Sequence, residues 1–176
     1  DTIKQYYGFL EKFPDLPGKR MGVVQGKTYD DLTRCYSLMS EYADMIAISF
    51  DYSYYLSTGT GNSRLERYMT GRQKFIRDLI NENRWNWDKP VHLLGCSLAR
   101  EFSYYVDRNI YNIKSCDTSN PVVAAMFNLK YNDTWGLDEK PKQKLADMVE
   151  ANLDDTQLEI LYYNLSIFKK IVGWDV

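Results

Sequence analysis

Histidine is almost missing from this chain: His92 is the one example in 176 residues. Cysteine is sparse, with three residues far apart at Cys35, Cys96 and Cys116. An odd, scattered set is not a disulfide framework, and without a CxxC or a Cys/His cluster it offers no metal-ligand spacing. Reduced thiols in a cytoplasmic protein are therefore expected. No apolar run approaches the roughly 20 residues that a membrane-spanning helix needs, and no signal peptide is legible, so no membrane partner is expected. The N-x-S/T matches at Asn132 and Asn164 are read as chance in that compartment. Neither sign of charge dominates, with 22 Lys and Arg against 24 Asp and Glu. Any contact with nucleic acid has to come from a local basic patch. No Ser/His/Asp or Cys/His spacing stands out, and His92, inside a strand-like run, reads as structural.

What the chain does have is tyrosine, 15 of them, which suggests wide half-polar surfaces or an interface. The hydrophobic share of 44% and charged share of 26% are those of a globular protein, and the length suits one domain with a sizeable core. Short apolar runs alternate with longer helical patterns. "MGVVQG" (21–26), "DMIAISF" (44–50), "DKPVHLLG" (88–95) and "IYNIKSC" (110–116) read as four buried strands. Between them, Thr28 with Asp31 resembles a capping box that starts a helix carrying Leu32, Tyr36, Met39 and Ala43. The segment 64–82 places Leu65, Met69, Ile76 and Leu79 on one face, with Arg64, Arg67, Arg72, Lys74 and Arg77 assigned to the other. "SLAREFSYYVD" reads as a short helix with Ser97 as its cap. A last amphipathic helix runs through Leu158, Leu161, Leu165 and Phe168. Strand–helix alternation with near-continuously apolar strands predicts an α/β fold, a parallel sheet covered by helices. Four strands make either a small open sheet or half of an eight-stranded barrel.

In parallel α/β folds the ligand sits at the C-terminal edge of the strands. There the sequence puts Gln25-Gly26, Ser49-Phe50-Asp51, Gly95 and Asp117: an amide, two glycines that let a ligand approach the backbone, and two carboxylates. A polar, planar ligand such as a nucleobase fits that set. Each residue also has a plainer explanation. Gln25-Gly26 can be a strand-to-helix turn, Gly95 a packing glycine, and Asp117 a helix cap ahead of Pro121. The "STGTGNS" loop lacks the Lys of a P-loop.

Four segments together resemble the tRNA-guanine transglycosylases. "MGVVQGKTYDDL" is similar to that family's "GIVQGG…DLR", and "DMIAISFDYS" stands at its "GYAIGGLAVGE". "KPVHLLGCSLAREF" resembles "KPRYLMGVGTPEDL", and "SCDTSNP" lies at "FDCVLPTR" with a shared D-x-x-x-P. Order and approximate spacing agree over roughly residues 20–126. The resemblance implies a TIM-type (β/α)8 barrel of which this chain holds strands five to eight plus C-terminal helices, as one α/β domain over 1–176. It also implies base exchange at guanine in tRNA or DNA through a covalent glycosyl-enzyme intermediate, with a 7-deazaguanine as the incoming base. Asp117 falls on the family's nucleophile and Gln25 on the residue that contacts guanine. Gly26, Ser49, Phe50, Asp51 and Gly95 would frame the base. Arg64, Arg67, Arg72 and Lys74 are the expected contacts to nucleic-acid phosphates.

The family's Cys-rich zinc cluster is absent, so no metal cofactor is expected. The bulkier "SFDYSYY" loop and the loss of the "PTR" arginine resemble divergent, phage-type members. The family's general base lies in an N-terminal half-barrel that this chain does not contain. Asp1 in place of Met likewise suggests preceding residues, so a missing half-barrel or a second copy is the expected protein partner. The alternative is a non-catalytic subunit or nucleic-acid-binding scaffold of the same fold.

Overall fold

The structure is a computed structural model that describes residues 2–50, 53–106, 111–141, 145–148 and 150–173. The chain enters through helix α1 (Thr2–Lys12) and then alternates. Strand β1 (Met21–Val24) is followed by α2 (Tyr29–Tyr42), and β2 (Met45–Ile48) by α3 (Ser53–Thr58) and α4 (Arg64–Asn81). Strand β3 (Val91–Leu93) leads to α5 (Arg100–Val106). Strand β4 (Ile113–Cys116) is followed by α6 (Asn120–Met126), a short 3₁₀ turn at Leu145–Met148, and α7 (Asp155–Ile171). The four predicted strands are present, each shorter than its apolar run.

The sheet is all-parallel, with the strands in chain order β1-β2-β3-β4. Consecutive strands are therefore neighbours and the order never reverses. Right-handed crossovers in such a sheet carry their helices to the same face. That face holds Val24, Ile46, Ile48, Val91 and Leu93, all fully buried against Leu32 and Tyr36 of α2 and Phe75 and Leu79 of α4. A Cβ on Gly22 would meet Met39 and Ala43, so α2 lies directly on β1. Helix starts follow local chemistry: Thr28 accepts from the Asp31 N–H, and Ser63 with Glu66 closes a full capping box on α4. Helices α3 and α4 meet through Gly71, where a Cβ would stand 2.3 Å from the Tyr55 carbonyl oxygen.

Two sequence expectations shift. Ser97 does not cap α5, which begins at Arg100; its hydroxyl instead bonds the Gly95 carbonyl at 3.4 Å. In α7 the buried residues are Asn164, Ile167 and Phe168, while Leu158 is exposed. Asn164 is buried because it bonds backbone: its amide donates to Leu129 O and accepts from Tyr131 N–H. No described helix is long and apolar enough to cross a membrane.

Candidate functional site at the carboxyl edge of the sheet

The segment Asp117–Pro121 divides its work residue by residue. Asp117 does not cap a helix. Helix α6 has Ser119, not Asp117, at its N-cap position, with Pro121 in its first turn, and the Asp117 carboxylate is bonded to His92 and the Gly95 N–H, so the plainer explanation of Asp117 fails. Thr118 Oγ1 accepts the Asn120 N–H, closing a small turn. The buried Asn120 side chain donates to Ser97 O and accepts from Tyr131 Oη, pinning the loop to the segment after β3. Lys140 Nζ donates to Ser119 Oγ at 2.6 Å, and burial pushes this amine below its ordinary pKa.

That leaves Asp117 projecting from a fixed loop, its side chain 58% exposed. Its Oδ1 accepts two bonds of 3.0 Å, one from His92 Nε2 and one from the Gly95 N–H. Oδ2 has no partner among the described residues. The Asp117 carbonyl accepts the Cys96 N–H at 2.8 Å, which fixes the backbone on both sides of the carboxylate. Gly95 reaches this position at φ +61, a left-handed conformation that glycine adopts without strain.

His92 is 13% exposed and uses both ring nitrogens: Nδ1 meets Ser115 Oγ at 2.8 Å while Nε2 meets Asp117. Strand register produces this line. Val91 pairs with Ile113 but His92 pairs with Ser115, so Lys114 is an extra, exposed residue in β4. Such a bulge resets the alternation. Ile113 stays on the helix-covered side, and Ser115 and Asp117 come to the opposite side beside His92. Sequence reasoning treated His92 as structural and passed over Ser115. The signal that could have found them was the alternation Ser115-x-Asp117 opposite the lone histidine.

Beneath the edge, Cys96 and Cys116 share a hydrogen bond. Donation from Cys96 lowers the Cys116 thiol pKa, while the same bond and burial raise that of Cys96. Arg72 lies deeper still. Its guanidinium makes a two-pronged ion pair with Glu101 (2.7 and 2.6 Å), both side chains fully buried, and donates to the carbonyls of Ile48 and Leu94. Burial works against its charge, but the Glu101 carboxylate more than offsets this and raises its pKa. It also stacks 4.9 Å from the Phe50 ring centroid.

Arg72 is thus no surface contact for phosphates. It belongs to the apolar stripe of α4, three residues from Met69 and four from Ile76, a position that counting basic residues on a face overlooks. Phe50 is likewise turned inward, 7% exposed against Tyr68 and Arg72, so it cannot stack on a ligand at the edge. Of the other expected phosphate contacts, Arg67 is exposed, Arg64 lies against Tyr68 and bonds its hydroxyl, and Lys74 pairs with Asp78.

The remaining site residues are spread along the edge. Gln25 is exposed just past the end of β1 and accepts from Thr2 Oγ1 at 2.6 Å, beside a cavity of about 420 Å³ lined by Gln25, Gly26, Lys27 and Arg34. Gly26 is required for close approach, since a Cβ would stand 2.5 Å from Leu32 N. Ser49 is half-buried, its hydroxyl oxygen buried and without a hydrogen-bond partner among the described residues. Asp51 lies outside the described residues. The fold therefore joins Gly95 and Asp117 directly, whereas Gln25 stands three strand spacings away, about 14 Å along the sheet. Among the described residues, no group of three or more His, Cys, Asp and Glu is placed to hold a metal. No family model, curated protein or solved structure matches the chain.

Proposed function

We propose that the protein is a base-exchange glycosyltransferase acting on guanine in a nucleic acid, with Asp117 as the nucleophile. The observation that carries this is the carboxylate itself: exposed, anchored through one oxygen and open at the other, at the edge of a parallel sheet where ligands bind. Asp117 Oδ2 attacks the ribose anomeric carbon as the bond to guanine N9 breaks, its electron pair leaving with the base. A 7-deazaguanine then attacks the glycosyl ester and frees the carboxylate. The proton lost by the incoming base balances the one gained by guanine. Two inversions retain configuration, as in retaining glycosidases.

Gln25 supplies an amide edge for the base, and a purine with two side chains fills a gap of the size that separates it from Asp117. Monotonic strand order supports assigning these strands to half of a (β/α)8 barrel, since a doubly wound sheet reverses order at its switch point. Arg67 and Arg64 remain the basic residues for backbone phosphates.

Covalent trapping tests this. The full-length protein is incubated with guanine-containing RNA or DNA, denatured, and examined for a shifted band. A band lost in Asp117→Asn supports the assignment and names the polymer. Binding without a band from either polymer overturns it in favour of a non-catalytic, nucleic-acid-holding subunit. That second role is favoured by one feature, the inward turn of Phe50 and Arg72, which removes two expected ligand contacts.

A further inference from the structure

We infer that His92 is the positioning residue for Asp117, selecting Oδ2 as the attacking atom, and that Ser115 fixes the imidazole tautomer that does so. The inference rests on the glycosyl-transfer assignment of Asp117 and goes beyond it.

A free aspartate rotates about its terminal torsion and presents either oxygen. Here two donors converge on Oδ1, one from a nearly buried ring and one from a backbone N–H held by the glycine conformation at Gly95. Rotation would break both bonds, so Oδ2 is the oxygen presented outward. For neutral His92 to donate from Nε2, Nδ1 must be the acceptor, and among the described residues the group set against Nδ1 is the Ser115 hydroxyl at 2.8 Å. A hydroxyl can donate to that nitrogen, so Ser115 holds the proton on Nε2. The line Ser115–His92–Asp117 thus differs in role from a serine-hydrolase triad. The carboxylate is at the exposed end and the serine lies inward, so the nucleophile is the acid.

The bulge at Lys114 strengthens the inference. Were residues 113–117 to alternate regularly with Lys114 paired instead of bulged, Ser115 and Asp117 would share the helix-covered side with Ile113, away from His92. The irregularity is what creates the line.

The test compares His92→Phe, His92→Gln and Ser115→Ala with Asp117→Asn in the full-length protein, by the rate and extent of adduct formation at saturating and sub-saturating nucleic acid. Misplacing a reacting group by about 1 Å costs on the order of 100-fold. His92→Phe is expected to lower the maximal rate by about that factor with half-saturation unchanged. His92→Gln, whose amide can still donate to Oδ1, is expected to recover part of the loss, and Ser115→Ala to give a smaller fall. Circular dichroism on each variant separates misfolding from misplacement. Should His92→Phe fold and trap at the wild-type rate while Asp117→Asn traps nothing, the positioning role is overturned and the nucleophile stands. Equal losses for folded His92→Phe and His92→Gln would also overturn it, because hydrogen-bond donation would then not be what matters. No adduct from the wild type overturns both assignments together.

Discussion

Replacing Arg72 with methionine removes a buried cation and strands everything it serves. Glu101 stays fully buried without its partner, and breaking such a pair from one side costs about 3–5 kcal/mol. The Leu94 carbonyl loses its donor as well, worth about 1 kcal/mol or more when left unsatisfied, while the Ile48 carbonyl keeps the bond from the Leu94 N–H. These terms overlap, so a total near 5 kcal/mol is expected, a large share of a domain's roughly 5–15 kcal/mol. For a chain of this size each kcal/mol moves Tm by about 2–4 °C, which predicts a fall of about 10–20 °C in a thermal melt. Restoring an apolar pair with Arg72→Met and Glu101→Leu together should recover most of the loss, giving a coupling energy above about 2 kcal/mol in the double-mutant cycle. Lys74→Met, which breaks only the more exposed helical pair with Asp78, serves as the control and should change stability by less than about 1 kcal/mol. A wild-type Tm for Arg72→Met, or strict additivity in the double variant, would refute the buried clamp.

Gly95→Ala has room for its methyl, with the nearest atom 3.5 Å away, so its cost comes from the positive φ alone. About 1–2 kcal/mol in chemical denaturation is expected, along with slower adduct formation if the N–H to Asp117 tilts. Asn120→Ala deletes the donor to Ser97 O and the acceptor for Tyr131 Oη. It should cost about 2 kcal/mol and raise amide exchange in residues 117–120; unchanged exchange there would mean the loop is held by something else. Glu66 accepts from the Ser63 and Asn62 N–H groups, and these bonds, with Arg100 adding to them, hold its carboxyl below the ordinary 4.5. A lowered folded pKa contributes stability above pH 4.5 that is lost as pH falls through the folded value. Glu66→Gln should therefore flatten the acid limb of the stability–pH curve below pH 4.5, and an unaltered limb would exclude this contribution.

The strand–helix alternation was legible because buried parallel strands and amphipathic helices write different periods into the chain. The four strands, the Thr28 cap and helix α4 were all expected close to where they stand. Helix α1 was not anticipated, and the stripe of α7 was mis-phased because its buried position 164 is an asparagine satisfied by backbone of another segment. Asp117, Gly95 and their closeness followed from their places at strand ends. The line through His92 did not, because it depends on cross-strand register with one unpaired residue, which a one-dimensional pattern does not carry. Arg72 and Phe50 were misplaced for a related reason: charge and aromaticity say what a side chain can do, while its phase on the element says where it can do it.

The unpaired Lys114 gives strand β4 an uneven tolerance to changes in length. Deleting that residue leaves Ile113 opposite Val91 and Ser115 opposite His92, so the phase of Ser115 and Asp117 survives a shorter strand. Deleting Cys116 instead would carry Asp117 to the helix-packed side. Two codons separated by a single one thus differ sharply in what their loss would do: one is spare length, the other sets the direction in which the carboxylate faces.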